Sequence, residues 1–378
     1  MFRQAREISA LTTREEDRAL DRRVLIAVVL VVLARIVYLA LAPVVSLTFR
    51  STDDSYYYFG VARNIVLGNG VTFDGINPTN GWHPLWMLML LPVYKLTAAS
   101  PELALRAVFS LVAVIAGATF WTAYRVLGLW MERLIALLAA SLLLAPMFLN
   151  AMLNGLETGL LILVMLVTVW HTARHDLFSP RASWKQDAAL GALLGLVFLA
   201  RLDSAFVVMA FGLVIVGRWV HECRRDREMG LAALIRKALV SGSVFLLVAA
   251  PYLIWNRVTF GHIVPISGAV KSSFPEIAFR PERLLNFHAL YGASQLAIAT
   301  LALIVLEIWH LRQPQRYRVP SVLWALWLGA ALHFAYSMMF MRWAAHWWHY
   351  ASYIPLVLLS VGLLLERVRA WLKLPAMA

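Results

Sequence analysis

Pro84-Leu85-Trp86-Met87-Leu88-Met89-Leu90-Leu91-Pro92-Val93-Tyr94-Lys95-Leu96-Thr97 is an apolar run of 14 residues, and its reading sets the sidedness of every segment after it. A helical bilayer crossing takes roughly 20 residues, so a run this short either spans with difficulty or lies at the interface. Longer apolar stretches flank it on both sides. Before it lies 24–47; after it come 103–124, 134–150, 158–173, 188–200, 204–217, 238–256, 287–309, 320–341 and 350–366. Keeping 84–97 as a juxtamembrane element leaves ten crossings, with both termini on one side. Of the 34 Lys and Arg residues, 23 then fall on the terminal side, 10 on the other, and Arg35 sits inside the first span. Basic residues collect in cytoplasmic loops, so the richer side is assigned inside. A full crossing at 84–97 would invert every later loop and put most of this charge outside.

Composition demands a membrane. Of 378 residues, 61% are hydrophobic and 15% are charged, with a mean hydropathy of +0.71. Soluble domains run at about 45–50% apolar and about 25% charged. A cytosolic enzyme, a disordered chain and a disulfide scaffold are excluded; the single cysteine, Cys223, has no internal partner. Long unbroken apolar runs, rather than period-two alternation, give helices and not a β-barrel. The net charge of +13 is the topology signal of such a chain. No basic stretch has the aromatic interleaving of a nucleic-acid site, so nucleic acid is excluded as a partner and the lipid bilayer takes its place.

Ala40-Leu41-Ala42 resembles a signal-peptidase site, but 23 residues of mixed charge precede the apolar run and Arg35 interrupts it, so a retained signal anchor is expected. The chain divides into a charged cytoplasmic segment, 1–23, one transmembrane domain, 24–366, and a cytoplasmic tail, 367–378. No repeat of 20–50 residues is visible. Arg35 is expected to face the bundle interior.

This topology gathers the informative polar residues on the outer face. The first outer loop reads Ser51-Thr52-Asp53-Asp54-Ser55-Tyr56-Tyr57-Tyr58, runs on through Arg63, and returns as Asn77-Pro78-Thr79-Asn80-Gly81-Trp82-His83-Pro84. Later loops bring Asn154 and Glu157, then Arg201 and Asp203, then His262 and Lys271, and last Arg342 to Tyr350 with His346. The pair Asp53-Asp54 can act as a general base whose neighbour raises its pKa, or hold a divalent cation, Mg or Mn, through hard oxygens. The plainer reading is a helix N-terminus, which favours both Thr52 and the acids; the readings are compatible. Proline in Asn77-Pro78-Thr79 rules out N-glycosylation. His83 between Trp82 and Trp86 reads first as an aromatic-belt residue, and so does the tryptophan-rich run 343–348. His346 and His349 lack a nearby third ligand for zinc. Arg201 and Asp203, at a break between two apolar halves, either pair with each other or line a wet cavity.

The run from Thr52 through Asn64, followed by Asn77 to Trp86, resembles the first extracytoplasmic loop of GT-C integral-membrane glycosyltransferases. The likeness is to the branch that uses polyprenyl-phosphate sugars, which includes protein O-mannosyltransferases, aminoarabinose transferases and arabinofuranosyltransferases. Asn154-Gly155-Leu156-Glu157-Thr158, Ala200-Arg201-Leu202-Asp203 and the loop from Pro251 to Lys271 resemble later motifs of the same group. The resemblance implies an all-α polytopic fold of about ten helices with juxtamembrane helices in the first outer loop. It implies a catalytic carboxylate at Asp53 or Asp54, and it maps the following arginine to Arg63 and the basic residue before the helix-starting proline to His83. Two features depart from the pattern: a second proline after His83 is missing, and Val270 precedes Lys271.

The expectation is therefore an inverting glycosyltransferase of the cell envelope, in a prokaryotic inner membrane with its active site outside. It takes a sugar from a polyprenyl-phosphate donor to a hydroxyl of a glycan, lipid or protein. Asp53, slightly favoured over Asp54, is the base; Arg63, His83, Arg201, His262 and Lys271 are donor-phosphate contacts. Tyr56, Tyr57, Asn80, Trp82, Glu157, Asp203, Arg342 and His346 line the substrate cavity. A transporter or flippase of lipid-linked sugars is the alternative; it would favour charges at the midplane and internal repeats, whereas here the charges gather at span ends. A catalytically silent assembly partner is the third reading.

Overall fold

The computed structural model describes residues 2–48, 51–179, 181–225, 231–313, 319–343 and 345–372. Among them the backbone is mostly helical, and its β-structure amounts to two isolated bridges, Thr72 with Pro78 and Ser272 with Met341. The first helix, α1 (Phe2–Leu41), carries the charged N-terminal segment directly into the first span. It stops at Leu41, short of the expected 47, because Pro43 disfavours helical geometry at Ala42. Three elements follow: α2 (Val44–Thr48), α3 (Asp53–Val66) and α4 (Pro84–Thr97). Then α5 (Pro101–Leu127) starts with proline in its first turn and with the Ser100 hydroxyl accepting from the Leu103 amide at 3.3 Å.

The ends of α1 and α5 settle how 84–97 lies. Arg106 donates to the Leu39 carbonyl and, at 3.1 Å, to that of Ala40, so the start of α5 meets the end of α1. Near the other end of α5, Tyr124 donates to Asp21 at 2.6 Å. The two helices cross the same thickness in opposite directions, and everything between them begins and ends on one side. The helix α4 is a surface element, as the charge count requires.

The chain returns through α6 (Arg133–Ala140), a 3-10 turn at Ser141–Leu144, and α7 (Pro146–Leu153). Pro146 has no amide hydrogen to continue the ladder, and the crossing bends there by 70°. Next come α8 (Thr158–His175), α9 (Trp184–Ala200), α10 (Ala205–Arg225) and α11 (Leu231–Phe260). A short α12 (Ile266–Lys271) precedes α13 (Phe287–Arg312) and α14 (Ser321–Met339); a 3-10 stretch at Trp347–Tyr353 then leads into α15 (Ile354–Trp371). Eight of these segments are long and apolar enough to cross a membrane, and the bent pair makes nine. The 17-residue α9 joins the same two ends: Asp187 at its start is held by Lys237 of α11, and Arg201 at its end is held by Glu157 ahead of α8. Ten segments therefore run from one end of the bundle to the other.

Ion pairs mark both ends. At one, Asp21 meets Arg125 at 3.4 Å and Arg133 at 3.5 Å, and Arg369 meets Glu132 at 3.1 Å and Glu366 at 2.7 Å. The other end holds Glu157, Arg201 and Asp203. Arg35 is half-buried, its guanidinium 5.1 Å from the centre of the Tyr38 ring. Arg50, counted among the outer basic residues, lies outside the described residues, as does the tail beyond Leu372. The core has two parts. One, built on α8, α15 and their neighbours, fills the bundle; the other, with Trp86, Leu90, Phe59 and Val61, fixes α3 and α4 onto α5.

Candidate active site at one end of the bundle

Five separate segments meet at the end where α3 begins. The acid pair opens α3, where two carboxylates in the first turn are favoured by its unpaired amides. Asp53 accepts from the Asp54 amide at 2.9 Å and is exposed. The Asp54 carboxyl is reached by solvent yet crowded by protein. That partial desolvation raises its pKa above the usual carboxylate value, and Asp53 beside it adds to the rise. The charges of Lys271 and His346 pull the pKa down again, and that of Glu157 pushes it up. The amide of Thr52 donates to the Asn154 carbonyl at 3.4 Å, which ties the start of α3 to the turn before α8. In that turn Gly155 has φ +83°, a left-handed conformation that glycine adopts without strain.

Behind the acid pair lies a buried charge cluster. Arg201, only 3% exposed, holds Asp203 in a two-pronged contact, Nε to Oδ1 at 3.1 Å and Nη2 to Oδ2 at 2.7 Å. Its remaining nitrogen, Nη1, donates to Oε1 of the equally buried Glu157. One guanidinium thus neutralises two carboxylates in part, and such a set persists in a low-dielectric site only because its hydrogen bonds are made. The second oxygen of Glu157 has no hydrogen-bond partner among the described residues. His83, the residue ahead of α4, accepts at Nδ1 from the Leu202 amide at 3.3 Å, which leaves its other nitrogen, Nε2, facing Glu157 Oε1 at 3.7 Å. Burial pushes the His83 pKa down, against the pull of Glu157, and favours the neutral imidazole.

Not every residue singled out in the sequence joins this group. Arg63 sits at the far end of α3, roughly 15 Å of helix from Asp53, where its Nε donates to the Ala98 carbonyl at 3.4 Å. His262 is exposed on the connection after α11. Lys271 ends α12, and its carbonyl accepts from the Arg342 amide at 2.7 Å, so the two loops that carry these cations are joined. His346 stacks on Trp348 with centroids 4.4 Å apart and planes at 2°. Asn80 and Trp82 fasten the loop rather than line an open space. Asn80 is buried and bridges Asn256 at 3.1 Å and the Ile266 amide at 3.2 Å, while Trp82 packs on Tyr252 and Trp255. Tyr57 bonds Thr79 and stacks on Phe73 at 5.3 Å; Tyr56 accepts from Ser51 at 2.9 Å.

Two histidines escaped the sequence reading as site residues. His333, inside α14, approaches Asp203 with Nε2 3.9 Å from Oδ2 and meets Tyr353 at 2.9 Å through Nδ1. An ionisable residue within a span was the available signal. His349, considered only for zinc, is part of the same surroundings, since Asp203 and Arg201 both act on it. Among the described residues no group of three His, Cys, Asp or Glu side chains is placed to hold a metal ion. The donor set of Asp53 and Asp54 fits Mg or Mn only if phosphate or water oxygens complete the shell.

No protein-family profile and no curated protein matches the chain. Among solved structures it is similar to the crystal structure of ArnT from Cupriavidus metallidurans bound to undecaprenyl phosphate, with a TM-score of 0.52 and 16% sequence identity. The match covers 92% of this chain and 61% of that one, so the chain spans about three fifths of the length of its neighbour. At that identity the likeness is one of fold: the chain is a polytopic helical membrane protein built like ArnT.

Proposed function

We propose that the chain is a membrane glycosyltransferase of the GT-C type, which moves a sugar from a polyprenyl-phosphate donor to an acceptor hydroxyl with inversion. The observation that carries this is that the first-loop acid pair, tied through Thr52 to the turn before α8, gathers at one end of the bundle with His83, Glu157 and Arg201, the charges of Lys271 and His346 acting on Asp54. It occurs in a fold shared with a protein that binds undecaprenyl phosphate. Asp54, rather than Asp53, is the general base, because Asp54 feels the cations and its raised pKa makes it the stronger acceptor of a proton. The acceptor hydroxyl gives its proton to Asp54 as its oxygen attacks the anomeric carbon. The bond from that carbon to the donor phosphate breaks on the opposite side, and the phosphate leaves carrying the extra negative charge. Lys271 is the cation best placed to receive it, with His346 and Arg342 beside it. Arg201 is held by Asp203 and Glu157, so it shapes the site from behind; Arg63 and His262 would reach the lipid's phosphate only at the rim. This end faces the outside of the cytoplasmic membrane, a reading the charge count supports.

Protein reconstituted in liposomes, incubated with a panel of polyprenyl-phosphate sugars and an extract of envelope glycans, lipids and proteins, tests the proposal. Release of polyprenyl phosphate matched by sugar in the acceptor fraction is expected, and its loss in Asp54→Asn. Binding of undecaprenyl phosphate without turnover of any donor would overturn the enzyme reading in favour of a carrier.

A further inference from the structure

The connection between α11 and α13 belongs to none of the chemistry above except through Lys271, yet it has a pronounced outer face. Ile263, Val270, Phe274, Ile277, Leu285 and Phe287 all stand out from the protein, from 57% exposed at Ile263 to 79% at Leu285. This is not slack chain. The Ser273 and Ala278 amides donate to the carbonyls of Phe340 and Met339 at 2.7 and 2.8 Å, and Arg283 donates to the Arg342 carbonyl at 2.7 Å. Asn80 and Asn256 hold the start of the segment at Ile266 and Ile263. A fixed surface of this kind in water would be an aggregation liability, and its exposure marks a contact.

We propose that the segment 261–287 is seated in the membrane interface, its apolar face in the acyl boundary and its basic residues on anionic headgroups. Proximity along the chain is one support: exposed apolar residues of α11, Ile254 and Val258, come shortly before Ile263, and Leu290 of α13 comes shortly after Phe287. Charge is the other. Besides Lys271, the segment and its flanks carry Arg257, Arg280, Arg283 and the adjoining Arg342 against two acids, Glu276 and Glu282, a balance that suits an anionic leaflet. The same short helix that ends in Lys271 thus leaves Val270 to the lipid, so the seat fixes the height of the site above the bilayer.

Single cysteines at Phe274 and Ile277 in a Cys223→Ser background, labelled with bimane and reconstituted in liposomes, test this without any turnover. Nitroxide lipids labelled high on the acyl chain should quench both labels about twofold more than aqueous iodide does. Phosphatidylglycerol should deepen the labels, and Arg280→Glu should cancel that gain. Quenching by iodide alone, or shielding from both quenchers, overturns the proposal, and lipid quenching that ignores phosphatidylglycerol overturns its electrostatic part. Since no donor or acceptor enters the experiment, its outcome is separate from that of the glycosyltransferase reading.

Discussion

The titration of Asp54 has a definite sign. Asp54 works as a base only when ionised, and desolvation raises its pKa above the usual 3.8, so turnover should rise with pH along an acid limb above that value. Lys271 lowers the same pKa, and removing the cation lets it climb. Lys271→Ala is therefore expected to move the acid limb to higher pH and to weaken donor binding more than acceptor binding, measured as pH profiles and separate titrations. An unmoved limb would show that the amine points away to the interface. Asp54→Asn should cost about 10²–10⁴ in rate, with little change in melting, because the side chain packs against little and a missing general base carries that penalty. Asp53→Asn should cost less, as Asp53 caps its own turn. Both acids were legible in the sequence as a pair, but which one feels the charge of Lys271 was not, because that depends on a loop more than 200 residues away.

The helices α8 and α9 show what element-scale reading reaches and what it misses. Their apolar lengths and the polar break at Arg201 and Asp203 are plain in the sequence, as is the surface position of α4 once charge is counted. Glu157 as the second partner of Arg201 is not, since 44 residues and a full helical hairpin separate them. His333 is equally hidden, a single histidine in an apolar run with no periodic signal. The clamp is structural as well as local: Arg201→Met leaves the buried Glu157 and the half-buried Asp203 without the cation they share and should cost about 3–5 kcal/mol, read as a fall in melting temperature in detergent. Replacing Arg201 with Lys should not restore it, for an ammonium cannot bridge Asp203 with two prongs. Gly191 and Gly195, spaced by four on α9, let α11 approach closely. A Cβ on Gly191 would overlap the Ser241 carbonyl, and one on Gly195 would lie 2.8 Å from Val248 Cβ. Gly191→Val is expected to destabilise by about 1–3 kcal/mol through overpacking, which a control at a position with open space around it, Gly242→Val, would not show.

Across the whole molecule, the two ends differ in what their charges do. One end ties the helices together with Asp21, Glu132, Glu366 and Arg369; the other gathers an acid pair, a buried clamp and loop cations around a place where a lipid phosphate can arrive. That polarity makes sidedness testable apart from chemistry. With α4 on the surface, Ile76 in the first outer loop and Trp184 at the start of α9 lie at opposite ends of the bundle, and both are exposed. A cysteine at Ile76, in the Cys223→Ser background, should react from outside intact cells with a membrane-impermeant maleimide. One at Trp184 should react only after the membrane is opened. If 84–97 were a crossing, Ile76 would keep its side while Trp184 moved to join it, and both would label from outside. Labelling of Trp184 alone would instead turn the whole bundle over, placing the acid pair in the cytoplasm, where the acceptor would have to be a cytosolic molecule. The charge distribution, 23 basic residues against 10, argues for the first outcome, because a reversed bundle would have to carry the richer side across the membrane against the insertion bias.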